Sequence, residues 1–173
     1  MNILFIGHSL IEFFDWQGRF PLHQVANLGV AGETVEGLLS RIGSITGQHP
    51  SADIIFIMSG LNDVAMEEFG FAGSYRKIVE KLIPAYPQAR IFIHSLLPTN
   101  VEFITDKSIQ DVNRSLKELA KDTGVEYLDI YSIFINEEGA AISEYLLDDG
   151  VHLSDKGYDA WAGVLEGIIN RTS

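Results

Sequence analysis

The chain has 173 residues, enough for a substantial core, and 46% hydrophobic against 21% charged residues is a soluble globular balance. A formal net charge of -12 excludes a general nucleic-acid binder, which needs a basic footprint against phosphates, and it excludes electrostatic docking on anionic lipid. With no cysteines, disulfides and thiolate chemistry are excluded too.

The N-terminal apolar run is short and no basic residue precedes it, so it does not read as a signal peptide. No stretch approaches the roughly 20 apolar residues of a spanning helix. The expected setting is therefore cytoplasmic, with no membrane partner.

In chain order, residues 2–6 read as a strand that ends at Gly7, and a weaker strand is expected at 22–26. Residues 33–48 read as a helix, because Val35, Leu38, Leu39, Ile42 and Ile45 recur at helical spacing. Residues 53–58 are apolar after the first, as in a strand buried on both faces. A helix is expected at 75–86, closed by Pro84 and Pro87, then a strand at 90–94. Residues 108–122 form an amphipathic pattern with Gly124 as C-cap, followed by a strand at 125–130. Ser154 or Asp155 can cap a last helix running to about Asn170.

Strands alternating with helices are the signature of an α/β layer fold around a parallel sheet. No repeat or linker interrupts residues 1–173, so a single domain is expected. Parallel sheets place sites beyond the carboxyl ends of their strands. Polar groups gather at those ends in Gly7-His8-Ser9-Leu10, in Asn27-Leu28-Gly29, in Ser59-Gly60-Leu61-Asn62-Asp63, and in Asp148-Asp149-Gly150-Val151-His152 before the last helix.

Ester hydrolysis needs a nucleophile, a base, a partner that orients the base, and donors for a developing oxyanion. Ser9, His152 and an aspartate supply the first three, with Asp148 and Asp149 competing for the acid. Backbone N–H groups near Ser9 and Gly29, with the Asn62 amide, supply the fourth. Each residue also has a plainer reading. Ser9 could be a helix cap, His152 a surface loop residue, Asn62 a turn former and Gly29 a glycine that permits a positive φ. No ligand set with a metal-site spacing is present, and Gly29-x-x-Gly32 is only a fragment of a dinucleotide fingerprint, so neither metal nor organic cofactor is expected.

The four blocks in this order resemble the SGNH (GDSL-type) hydrolase family. The resemblance spans nearly the whole chain. It implies a flavodoxin-like three-layer α/β/α sandwich with a parallel sheet of about five strands, strand one lying between strands two and three. It implies Ser9 as nucleophile, Gly29 and Asn62 in the oxyanion hole with the Ser9 backbone, and Asp149 with His152 as acid and base. The family's Asp before the nucleophile is His8 here. The activity implied is hydrolysis of small carboxylic esters, with lysophospholipase or thioesterase types as alternatives and a small-molecule ester as partner. A non-catalytic binding module on the same scaffold is the rival, as is a flavin- or nucleotide-binding module. Oligomeric state is left open. Phe13, Phe14, Trp16, Phe69, Phe71, Val101, Phe103 and Ile104 follow the active-edge segments and read as core or as an apolar pocket. His23 and His49 read as surface residues, and His94 as a weak substrate-lining candidate.

Overall fold

In a computed structural model, which describes residues 1–172, the chain forms an α/β fold on one parallel sheet. The elements are β1 (Asn2–Gly7), α1 (Ser9–Glu12), α2 (Trp16–Arg19), β2 (Gln24–Gly29), α3 (Val35–Gln48) and β3 (Ile54–Met58). They continue with α4 (Leu61–Ala65), α5 (Ala72–Ala85), β4 (Arg90–His94), α6 (Asp106–Thr123), β5 (Glu126–Leu128) and α7 (Asp155–Thr172). Strand order is β2-β1-β3-β4-β5, every neighbouring pair parallel. The chain thus reverses direction across the sheet between β2 and β3, and the ends of β1, β2 and β3 come together there.

Register explains the core on one face. Phe5 pairs with Phe56 and Phe56 with Phe92, so three rings lie side by side, 5.1 and 5.3 Å apart. Trp16 of α2 stacks on Phe5 at 4.1 Å, and Trp161 of α7 meets Trp16 edge-on at 5.1 Å. Separately, α3 packs against α5 and α5 against α6. Caps follow the residue chemistry: the Thr34 and Thr105 hydroxyls accept from the Gly37 and Ser108 N–H groups. Gly124 ends α6 at φ 76°, a left-handed position that costs glycine nothing. Among the described residues no helix is long and apolar enough to cross a membrane.

The helix expected at 33–48 begins two residues late, at Val35, and the one expected at 108–122 begins two residues early, at Asp106; three elements depart further. The second strand is Gln24–Gly29 rather than 22–26, and Leu22 is 90% exposed. Pairing with β1 sets this shift, because Gly29 must stand opposite Gly7. The helix expected at 75–86 starts at Ala72 and carries Pro84 within its last turn. The last strand is only three residues long, because the Ser95 hydroxyl accepts from the Ile130 and Tyr131 N–H groups and turns the chain away.

His94 is also corrected. It is completely buried, 5.3 Å from the Phe56 ring and 5.5 Å from Trp161, so it lines no open substrate site. His23 and His49 are half-buried rather than surface residues. Neither ring nitrogen of His94 has a partner among the described residues, and burial pushes its pKa from the ordinary 6.5 down to about 3. Above pH 6.5 the ring is neutral in both folded and unfolded chains. Below it, the unfolded chain gains a proton that the folded protein refuses, so stability falls by about 1.4 kcal/mol per pH unit until about pH 3. His94→Phe, which sacrifices no hydrogen bond, should remove that contribution from the slope of unfolding free energy between about pH 6 and about pH 4. Urea titrations across this range check it, and parallel curves for the two proteins would contradict it.

Candidate active site

The site is built on a helix too short to stand alone. Four-residue α1 begins with Ser9 directly after β1. A Cβ at Gly7 would lie 2.0 Å from the Met58 carbonyl oxygen, so only glycine lets β1 end this close to β3. His8 caps α1, its Nδ1 accepting from the Leu10 N–H at 3.4 Å. The carbonyls at the other end, which a helix leaves orphaned, are taken by side chains from three other elements. Tyr158 Oη of α7 donates to the Leu10 carbonyl at 3.0 Å, and Trp16 Nε1 of α2 donates to Ile11 at 2.9 Å. Asn27 Nδ2 of β2 is shared among the carbonyls of Ile11, Glu12 and Phe14 at 2.9, 3.1 and 3.0 Å. A Cβ at Gly29 would lie 2.3 Å from the Glu12 nitrogen, so this glycine is what lets α1 rest on the end of β2.

The structure brings Ser9, His152 and Asp149 into one hydrogen-bonded row. Ser9 Oγ is 3.0 Å from His152 Nε2, and His152 Nδ1 is 2.6 Å from Asp149 Oδ2. Asp149 Oδ1 accepts from the N–H groups of Val151 and His152, each at 2.9 Å. The imidazole hydrogen bond and these two backbone donors hold the Asp149 carboxyl down to about 2, so it is ionised at neutral pH. Between the two aspartates, Asp149 therefore holds the imidazole. The loop carrying it is braced by an antiparallel bridge between Leu146 and Leu153 and by the Asn100 N–H on the Gly150 carbonyl at 2.7 Å. Gly150 sits at φ 72°, and a Cβ there would meet Asn100.

Gly29 is the last residue of β2, and Asn62 lies in the first turn of α4, which follows β3. The Gly29 N–H donates to Asn27 Oδ1 at 3.1 Å, and Asn62 Nδ2 donates to the Glu33 carbonyl at 2.9 Å. The loop between β2 and α3 is pinned from several directions. Arg41 grips both Glu33 carboxylate oxygens and the Leu28 carbonyl. Buried Asp63 accepts from the Val35 N–H, and burial raises its pKa. The Glu12 carboxylate accepts from the Ala31 N–H.

Sequence reasoning missed Asn27, Asp63 and Tyr158 as builders of the site. Their only signal was position, since Asn27 and Asp63 stand within the strand-end blocks and Tyr158 in the last helix. His8 takes no part in the row. It is buried, its Nδ1 is occupied by the cap, its Nε2 has no partner among the described residues, and burial with nearby His152 lowers its pKa to about 4. Among the described residues no three His, Asp or Glu side chains are grouped to hold a metal ion.

A model of the GDSL-like lipase/acylhydrolase family matches residues 14–160, a stretch that holds Gly29, Asn62, Asp149 and His152 and starts after Ser9. Platelet-activating factor acetylhydrolase IB subunit alpha2 of Homo sapiens is 30% identical over 167 residues, covering 91% of this chain and 71% of that protein. Two solved structures share the fold at TM-score 0.79 and cover 99% of each chain. They are the native M. smegmatis aryl esterase, 18% identical, and Est24, a carbohydrate acetylesterase from Sinorhizobium meliloti, 15% identical.

The Asn27 brace makes a clear forecast. Asn27→Asp keeps the shape and the acceptor for the Gly29 N–H, but it turns a carboxylate toward three carbonyls. Asn27 is exposed, so water can replace part of what is lost, and unfolding free energy should drop by about 1 kcal/mol, the net value of a shared hydrogen bond. Urea denaturation measures it, and a change within about 0.5 kcal/mol would show that α1 is held by other contacts.

Proposed function

The chain belongs to the GDSL-like lipase/acylhydrolase family, and on that premise we propose that it is a serine esterase acting on small carboxylic esters, with Ser9 as nucleophile, His152 as general base and Asp149 as its orienting acid. The observation that carries the reading is the unbroken row from Ser9 Oγ through His152 to ionised Asp149. A serine hydroxyl is a weak nucleophile until a base removes its proton, and the His152 imidazole 3.0 Å away is in position to do so.

The steps follow from that row. Ser9 Oγ attacks the ester carbonyl carbon while its proton passes to His152 Nε2. Asp149 stabilises the resulting imidazolium through the Nδ1–H. The carbonyl oxygen becomes an oxyanion. Three donors can meet it: the Ser9 N–H, which has no intrahelical acceptor at the first helical position, the Gly29 N–H, and the second N–H of Asn62. The Gly29 N–H is held by Asn27 at a long 3.1 Å, which allows a three-centre bond. The bond to the alcohol oxygen then breaks, and His152 returns its proton to the leaving alcohol. Water attacks the acyl-Ser9 ester with His152 again as base, releasing the carboxylic acid and restoring Ser9. Every proton and oxygen is accounted for by these side chains, ester and water, and no cofactor is called for. Small acyl groups are favoured because two of the similar proteins are named for acetyl hydrolysis.

Ser9→Ala should abolish turnover of a small aryl acetate and labelling by a fluorophosphonate while leaving the melting curve intact. Labelling on another serine, with Ser9→Ala fully active, would overturn the assignment. Asn62 tests the oxyanion donors separately. Asn62→Ala and Asn62→Asp should each lower kcat by about 10²–10³ with little change in KM, because the bond tightens only in the transition state. Steady-state kinetics on one small ester decide this, and near wild-type kcat for Asn62→Asp would remove Asn62 from the mechanism.

A further inference from the structure

We propose that Phe13 is the specificity-determining wall for the alcohol half of the ester, selecting neutral, aromatic or otherwise apolar leaving groups; this rests on the esterase reading above. Phe13 closes α1, and its N–H donates to the Ser9 carbonyl at 2.9 Å. Serine and phenylalanine are thus four residues apart on one helical turn, where side chains share a face. The Phe13 ring lies 5.3 Å from the His152 ring at a 41° tilt, within aromatic contact distance. Yet Phe13 is 58% exposed, so one side of the ring is spent on the imidazole and much of the rest faces solvent. An exposed phenylalanine beside a base, on the nucleophile's own helix, is not explained by the core.

The chemistry of the row says which half of the substrate meets this ring. At the tetrahedral carbon, one substituent is Ser9 Oγ and another is the oxyanion. The leaving oxygen must come within about 2.6–3.2 Å of His152 Nε2, because that nitrogen returns the proton to it. The leaving group therefore lies on the imidazole side, and its carbon skeleton extends along the imidazole, where the Phe13 ring stands. The acyl group takes the remaining direction, away from His152. The flank agrees in character. Leu147, another exposed apolar residue, donates its N–H to the His152 carbonyl at 2.7 Å. The charges next to these residues in the chain are acidic, Glu12 before Phe13 and Asp148 after Leu147, and the ionised Asp149 carboxylate lies behind the imidazole. Anionic leaving groups are disfavoured there, while a flat neutral ring gains an aromatic face.

The test crosses alcohol and acyl identity. Benzyl acetate and ethyl acetate vary the leaving group between two alcohols of similar basicity. Ethyl acetate and ethyl butyrate vary the acyl chain. For Phe13→Ala, the benzyl-to-ethyl ratio of kcat/KM should fall about three- to tenfold, the value of one aromatic contact. The acetate-to-butyrate ratio should move by less than about twofold. Phe13→Tyr, which keeps the face, should retain the wild-type alcohol ratio. An unchanged alcohol ratio in Phe13→Ala, or an acyl ratio that moves as far, overturns the inference while leaving the esterase intact. A wild-type protein that turns over none of the three esters overturns the esterase reading instead, and the wall falls with it.

Discussion

The Asn27 amide stands between the second strand and the short helix that carries Ser9. One of its ends is spread over the carbonyls of Ile11, Glu12 and Phe14, and the other receives the Gly29 N–H. A four-residue helix has almost no hydrogen bonds of its own to offset the cost of ordering it. It persists because a strand, a neighbouring helix and the last helix each lend it a donor. The two glycines at 7 and 29 set the scale of the arrangement, since a methyl group at either would meet backbone at 2.0 or 2.3 Å. Serine is therefore presented from a surface that backbone contact has already made rigid. That is the condition for holding the Ser9 hydroxyl at 3.0 Å from His152 Nε2 with little freedom to drift.

Three histidines show how environment divides one side chain into different tasks. His8 and His94 are sealed away from water and kept neutral, one as a helix cap and one as an aromatic filler between Phe56 and Trp161. His152 keeps contact with solvent and with an ionised carboxylate. Its position beside a buried, neutral His8 also means that the wall behind Ser9 adds no fixed positive charge. Where the family resemblance expects an aspartate, this chain caps α1 with the acceptor nitrogen of His8, which brings no negative charge next to the row.

Much of this was legible in the residues. Continuous apolar runs located β1, β3 and β4, because a strand covered on both faces has no polar side to confuse the pattern. The order of Ser9, Gly29, Asn62, Asp149 and His152 along the chain pointed to one edge of the sheet. What was obscure has a common cause. The start of β2, half-exposed and carrying Leu22 in solvent, is fixed by pairing with β1 and not by its own hydrophobicity. Asn27, Asp63 and Tyr158 act through contacts 13 to 148 residues away in sequence. His94 sits in an apolar strand, where a histidine looks like a functional intrusion until its neighbours are seen to be rings. Long-range partners leave no periodic trace, so only the fold reveals them.

The row that carries the proposed chemistry joins residues 143 positions apart, and Tyr158 secures the Leu10 carbonyl from 148 positions away. The two ends of the chain therefore meet at one place in the fold. A chain clipped before residue 149 would keep every strand of the sheet and the helix that carries Ser9, yet lose Asp149, His152 and the Tyr158 brace together.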